Sequence, residues 1–428
     1  MRSEGSHAIS LNSDNALQVN RYLPIAVLYF FLNSFLLPHG LLYTALLTPF
    51  FLVWLYNSYV FNYVWLFFLV SIPYAAIHLM NGIEPISYLK SYALIFTVFV
   101  FSLSFYQFLR VCKTLPALFK SIVLINLFFV LIALFTLTIP KLQSLFWHVS
   151  EITPGVEAFK RLKMLTYEAS YYSFLLVPIA LYYYLKMLLL SLPNRWFVFW
   201  LITIPLLLSL SFGVIAAILL TLILLICSDI KVLTFRRKFP LYVISGVIFF
   251  CCLLFVLIHF FPNNIIFVRI SNIFQGRDTS FSGRTFDSLY LGWKLAEQKS
   301  ILFGCGPGQI KIVGMDLFRD YYNYAYFTPQ QVAVPNSFGD TLATFGLSGV
   351  IIKLSLEAYF FFKTRVYTNF YRLSLFLFIF VYQFTGSYLT NIAEYVIWIM
   401  AFFPPLFKEF EKDNIHKKVN TVVANKYE

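Results

Sequence analysis

"RWFVFWLITIPLLLSLSFGVIAAILLTLILLICS" occupies residues 195–228, with Arg195 its only charged residue. As one helix this run would be about 51 Å long at 1.5 Å per residue, against roughly 30 Å of bilayer hydrocarbon. Ser209, Ser211 and Gly213 interrupt the apolar run near its middle. Two crossings joined as a hairpin, 195–210 and 212–228, fit the bilayer better than one overlong helix. The choice decides the fold, because it sets whether the spans are even or odd in number and so where each connection lies.

Outward from this stretch the chain has the same character. Of its 428 residues 60% are hydrophobic, 20% aromatic and only 12% charged. A soluble domain of that makeup would expose large apolar patches, so a bilayer is the expected solvent. Runs able to span occur at 22–37, 40–56, 62–80, 89–109, 119–139, 168–188, 240–261, 337–360, 370–387 and 390–407. With the hairpin they make about twelve transmembrane helices, an all-α polytopic membrane protein. The formal charge of +13 is spread over short connections and forms no single basic face, which argues against nucleic acid. The five cysteines give neither a disulfide framework nor metal-ligand spacing. The first twenty residues are polar, with no signal-peptide apolar stretch, so the first span is expected to be uncleaved.

Charge sets the orientation. With a cytoplasmic N-terminus, the inner connections hold Arg110, Lys113 and Lys120, then Lys186 and Arg195, then Lys231, Arg236, Arg237 and Lys238, then Lys363, Arg365 and Arg372. Short outer connections hold almost none, which is the positive-inside bias and predicts both termini in the cytoplasm. The expected layout is a cytoplasmic tail (1–21), helices one to five (22–139), an outer loop (140–167), helices six to nine (168–261), a large outer loop (262–336), helices ten to twelve (337–407) and a cytoplasmic tail (408–428).

The large outer loop contains "FSGRTFDSLYLGWKLAEQKSILFGCGPGQ", residues 281–309. Phe286, Leu289, Tyr290, Trp293 and Ala296 recur at helical spacing and predict an amphipathic helix along the membrane surface. Ser282 is a plausible N-cap, with Arg284 in the first turn, where an anion is preferred over a cation. Either Arg284 pairs with Asp287 three residues on, or it and the unpaired backbone N–H groups await an anion. Spacing alone favours the pair. Arg269 and Arg277 in the same loop and Arg161 at the mouth of the sixth span shift the balance, since guanidinium binds phosphate oxygens bidentately and keeps its charge.

"RLKMLTYEASYYSFLL" (161–176) places Glu168 at the entrance of a membrane helix. It is either a helix-dipole partner or a base for a sugar hydroxyl. Asp340 and Glu394 lie within apolar runs, where an acid is a functional suspect. "GCGPG" (304–308) lacks the strand and helix of a nucleotide loop and is expected to give backbone flexibility in a lid or turn. Tyr321, Tyr322 and Tyr324 could stack on sugars or rest on headgroups. His148, on an apolar run, reads as structural.

These residues resemble the O-antigen polymerase and ligase superfamily. The elements are Arg161, Glu168 and Ser170; then Ser282, Gly283, Arg284, Trp293, Ala296, Gly304, Gly306 and Gly308; then Asn336, Ser337, Phe338, Leu342, Gly346, Leu347, Ser348 and Gly349. The resemblance covers roughly 160–355. It implies a membrane-embedded glycosyltransferase of the C type, without metal, nucleotide sugar or other cofactor. The implied substrates are undecaprenyl-diphosphate-linked oligosaccharides at the outer face of the bacterial inner membrane, with membrane lipids and a chain-length regulator as candidate partners. Arg161, Arg269 and Arg284, with Arg277 a weaker member, would hold the departing diphosphate; Glu168, then Asp340, would serve as base. The ligase branch has a histidine where Pro335 stands here, so polymerase leads ligase. A lipid-linked oligosaccharide flippase is the competing class.

Overall fold

A computed structural model of the chain describes residues 22–38, 40–150, 159–190, 192, 194–229, 271–272, 275, 279–323 and 332–417. The ninth predicted span (240–261), Arg269, Arg277 and Tyr324 lie outside the described residues. The described part is mostly helical, as expected of an all-α membrane protein.

Five helices are long and apolar enough to cross a membrane by length and composition: Tyr59–Met80, Pro85–Val111, Leu115–Thr136, Ala169–Leu189 and Ser337–Lys363. The last of these is not straight, as shown below. Shorter apolar helices cover Tyr22–Leu32, Arg195–Leu208, Phe212–Ser228, Phe370–Tyr382 and Ile392–Phe402. In chain order we label α1 (Tyr22–Leu32), α2 (Tyr43–Leu46), α3 (Thr48–Tyr56), α4 (Tyr63–Met80), α5 (Pro85–Val111), α6 (Leu115–Thr136) and α7 (Pro140–Phe146). They continue with α8 (Ala169–Leu189), α9 (Arg195–Leu208) and α10 (Phe212–Ser228). The segment 279–323 gives α11 (Thr279–Arg284), α12 (Phe286–Lys299), α13 (Ile310–Val313) and α14 (Met315–Tyr322), followed by α15 (Ser337–Lys363), α16 (Phe370–Tyr382) and α17 (Ile392–Phe402).

The chain does break inside 195–228: α9 ends at Leu208 and α10 begins at Phe212, with Leu210 at φ 46° between them. The two helices find different neighbours, α9 packing on α8 and α6, and α10 on α16 and α8. The expected spans 22–37 and 40–56 are shorter pieces. Buried Asn33 ends the first, because its Oδ1 accepts from the N–H and hydroxyl of Thr44 and its amide donates to Tyr171.

Helix α8 is the hub. From Ala169 to Leu185 it is buried except at Tyr184, and its tyrosines find polar partners: Tyr172 donates to Asn126 at 2.7 Å and Tyr171 accepts from Asn33. A buried tyrosine needs such a partner, so these bonds fix the axial position of α8 and of Glu168 at its N-cap. The loop 140–167 is not wholly irregular. It carries two antiparallel strands, β1 (Trp147–Ser150) and β2 (Phe159–Leu162), with His148 opposite Arg161.

The main departure from expectation is α15. Gly346 sits at φ 65°, ψ −163°, outside the helical region, and the chain reverses there. Lys353 Nζ lies 2.7 Å from Ser337 Oγ. In a straight helix those residues would be about 24 Å apart, beyond the reach of any lysine. So 337–345 and 347–363 are two helical arms folded against each other, and the predicted span 337–360 is not one straight helix. Such a break is tolerated in an apolar bundle only where the freed backbone groups find partners. Residues 301–306 supply them. Cys305 and Gly306 N–H donate to the carbonyls of Ala343 and Thr344, and the N–H groups of Leu347 and Ser348 donate to Ile301 and Leu302.

The glycine cluster is therefore pinned, not a flexible lid. A Cβ on Gly304, at φ 75°, would come within 2.5 Å of the Thr344 backbone. Lys299 donates to the carbonyls of Asn81 and Gly82, His78 Nε2 bonds the carbonyl of Phe303, and Gln309 exchanges two bonds with the Glu84 backbone. The segment 299–309 is thus clamped to the α4–α5 turn on one side and to α15 on the other.

Candidate functional site

The amphipathic helix forms, but it does not simply lie on a surface. Ser288, Leu291, Gly292, Leu295 and Ala296 of α12 are buried, and α12 packs along α15. Phe286, Tyr290 and Trp293 are exposed and form an outer aromatic stripe, the composition of a membrane interface. Ser282 is not its N-cap. It lies inside α11, and Thr285, at φ −107°, ψ −94°, separates α11 from α12. Arg284 therefore closes α11, where a cation suits the helix dipole, and the opposition expected from a first-turn position does not arise.

The Arg284–Asp287 pair is absent from the ion pairs of the described residues. Asp287 instead accepts from the hydroxyls of Tyr321 and Tyr322 at 3.0 and 3.2 Å. Arg284 turns to Glu168, with its Nη2 3.9 Å from Glu168 Oε1; both side chains are about one-third exposed, at 38% and 33%. Glu168 occupies the N-cap of α8 in an extended conformation, yet its side chain caps no backbone N–H. The same Oε1 accepts a short hydrogen bond from Ser170 Oγ. Two elements more than a hundred residues apart thus converge, one delivering a guanidinium and the other a carboxylate.

Neighbouring loops complete the surroundings. Asn336 Nδ2 donates to the carbonyls of Arg284 and Phe384, at 2.8 and 3.2 Å, and its Oδ1 caps the Gly339 N–H. This ties α11, the start of α15 and the end of α16 into one frame. Asp340 lies in that frame: its Oδ2 accepts from Leu389 N–H at 2.9 Å and its Oδ1 from Thr344 at 3.4 Å. Tyr388, in the α16–α17 connection, lies within electrostatic reach of Arg284, Glu168 and Asp340. Tyr167 stacks on Tyr171 at 4.7 Å beside them.

Arg161 Nε donates to the carbonyl of Ser209 at 3.1 Å, so it holds the break in the 195–228 stretch. Its strand partner His148 is a residue the sequence did not single out for function. Partial burial, then the charges of Arg161 and Lys163, hold the His148 imidazole below its usual range, with Glu168 pulling the other way. The signal available in sequence was a short alternating apolar–polar run at 147–150, too brief to be read as a strand.

Tyr321 and Tyr322, with Tyr290, form an aromatic patch beside α11; Tyr290 and Tyr321 lie 5.4 Å apart, and Tyr321 is exposed. Among the described residues no group of three His, Cys, Asp or Glu side chains could hold a metal ion. Chemically, the arrangement offers an accessible carboxylate that can take a proton from a hydroxyl, next to a guanidinium that can hold an anion. No protein-family model matches the chain, and no curated protein matches it.

Proposed function

We propose that the chain is a surface-polysaccharide polymerase of the O-antigen type, a metal-independent glycosyltransferase with a lipid-diphosphate-linked donor. One observation carries the reading: Arg284 and Glu168, from separate motifs, share one accessible site at the end of the buried hub helix. In this account Arg284, with Arg161, Arg269 and Arg277, holds the diphosphate of an undecaprenyl-linked glycan. Glu168 accepts the proton of an acceptor sugar hydroxyl, whose oxygen attacks the anomeric carbon. The bond from that carbon to the diphosphate oxygen breaks, and the electron pair leaves with the diphosphate, where guanidinium stabilises it. Tyr321, Tyr322 and Tyr324 would flank the sugars. The reading entails a twelve-span C-type architecture in the bacterial inner membrane, the site facing the periplasm and both termini cytoplasmic.

Pro335 leaves the ligase alternative without its imidazole at that position. A flippase gains support from a separate observation, the buried Glu357 and Glu394 and the half-buried Lys353 within the helix bundle. The length of surface polysaccharide in a deletion strain separates the three. Loss of a polymerase leaves single repeats on the lipid core, loss of a ligase leaves polymer on undecaprenyl diphosphate, and loss of a flippase strands repeats inside. Complementation with Arg284→Ala is expected to give single repeats at normal protein abundance; long polymer would remove Arg284 from the account.

A further inference from the structure

Three acceptor atoms inside the apolar bundle have no donor among the described residues: Glu357 Oε1, Gln383 Oε1 and Glu394 Oε2. Their residues are 6%, 0% and 1% exposed. Glu357 lies on the second arm of α15, one turn beyond Lys353; Gln383 follows α16; Glu394 is in the first turn of α17. Lys353 Nζ donates to Glu394 Oε1 at 3.1 Å and to Ser337 Oγ at 2.7 Å, and Ser337 Oγ donates to Glu394 Oε1 at 2.9 Å. Glu357 has one donor, Gln383 Nε2 at 3.1 Å from its Oε2. One ammonium thus faces two buried carboxyl groups, and it is committed to one of them.

An ionised carboxyl buried with a single amide donor is costly to maintain. A proton on Glu357 removes that charge and supplies an O–H. With the proton on its Oε1, Glu357 can pair with the Gln383 amide as an acid–amide ring, Oε1–H donating to Gln383 Oε1 while Gln383 Nε2 keeps its bond to Glu357 Oε2. A single proton therefore satisfies two of the three orphaned acceptors. We propose that Glu357 and Gln383 form a proton-binding site inside the helix bundle, beside the Lys353–Glu394 ion pair. The charged groups acting on Glu357 are Lys353 on its own helix and Glu394 on α17, with neutral Gln383 at the end of α16.

The site is linked to the outer cluster. Proton release from Glu357 sets a second carboxylate one turn from Lys353 and draws the ammonium away from Ser337. Ser337 is the first residue of α15, next to Asn336, which holds the Arg284 carbonyl. Neither Glu357 nor Gln383 takes part in the proposed transfer.

Infrared spectroscopy of the full-length protein in lipid nanodiscs tests the site. At neutral pH the wild type is expected to show a protonated-carboxyl C=O band that is lost in Glu357→Gln and kept in Glu394→Gln. Identical spectra for wild type and Glu357→Gln would overturn the proposal. Should Glu357→Gln fail to fold, carbodiimide labelling of the wild type at neutral pH decides, because the reagent attacks protonated carboxyls in apolar surroundings. Adduct on the Glu357 peptide and none on the Glu394 peptide supports the site, and adduct on Glu394 with none on Glu357 refutes it.

Discussion

At the scale of single residues, the Arg284–Glu168 contact matters because it is loose. An ion pair at 3.9 Å with both groups about a third exposed contributes roughly 0–1 kcal/mol, so little opposes a phosphate that competes for the guanidinium. Removing Arg284 should therefore cost function and almost no stability. His148 gives a second residue-scale prediction, with a defined sign. Its folded-state pKa is lowered, chiefly by burial and by Arg161, so the fold favours the neutral ring. That stabilisation is complete above the unfolded value of about 6.5 and is lost as pH falls towards the lowered folded value. Thermal stability of the wild type should drop on acidification through this window, and His148→Gln should flatten the drop. Equal slopes for the two proteins would show that His148 does not titrate as argued.

Much of this could not be read from spacing. Arg284 and Asp287 are three residues apart and look paired, but Thr285 breaks the helix between them and Tyr321 and Tyr322 claim Asp287. Lys353 near the inner half of an apolar run resembles an ordinary snorkelling lysine, and only the fold brings Glu394 to it. The association of Glu168 with Arg284 was suggested solely by the family resemblance, since no local pattern links residues so far apart.

At the scale of elements, local chemistry was a good guide where it disrupts apolar periodicity. Ser209, Ser211 and Gly213 marked a true helix break; the expected span 89–109 begins earlier, at Pro85, where the Glu84 carboxylate accepts from the N–H groups of Ile86 and Ser87. At Gly346 a similar cluster, Gly346, Ser348 and Gly349, interrupts the run, but nothing local shows that the chain reverses there, because the loop that satisfies the freed backbone lies some forty residues earlier. Gly346→Ala should therefore be severe for a single methyl. Positive φ alone costs about 1–2 kcal/mol in an L-residue, and the added Cβ would lie 2.5 Å from the Leu302 carbonyl carbon. A clear fall in melting temperature and faster proteolysis after residue 300 are expected; a melting curve like the wild type's would mean the two arms of α15 are not locked by this turn.

At the scale of the whole molecule, hydropathy made the membrane class legible, because nothing else accommodates a chain that is 60% hydrophobic with so many apolar helices. Lengths were less legible: buried Asn33 shortens the first helix and the fold at Gly346 divides a presumed crossing. The proposed orientation follows from the Lys and Arg bias and has its own test. A membrane-impermeant maleimide applied from the periplasmic side should label cysteines introduced at Lys160 and Tyr321, both exposed, and leave one at Lys363 unlabelled. Labelling of Lys363→Cys from that side would invert the topology.

The most direct measurement is binding of undecaprenyl diphosphate to the purified protein in nanodiscs, comparing wild type, Arg284→Ala and Arg319→Ala. Arg319 serves as the control because it is an exposed arginine already paired with Asp316 and Asp320. The account predicts at least about a tenfold loss of affinity for Arg284→Ala, the scale of one charge-assisted phosphate contact, and none for Arg319→Ala. Equal affinity of wild type and Arg284→Ala for the lipid diphosphate would contradict it.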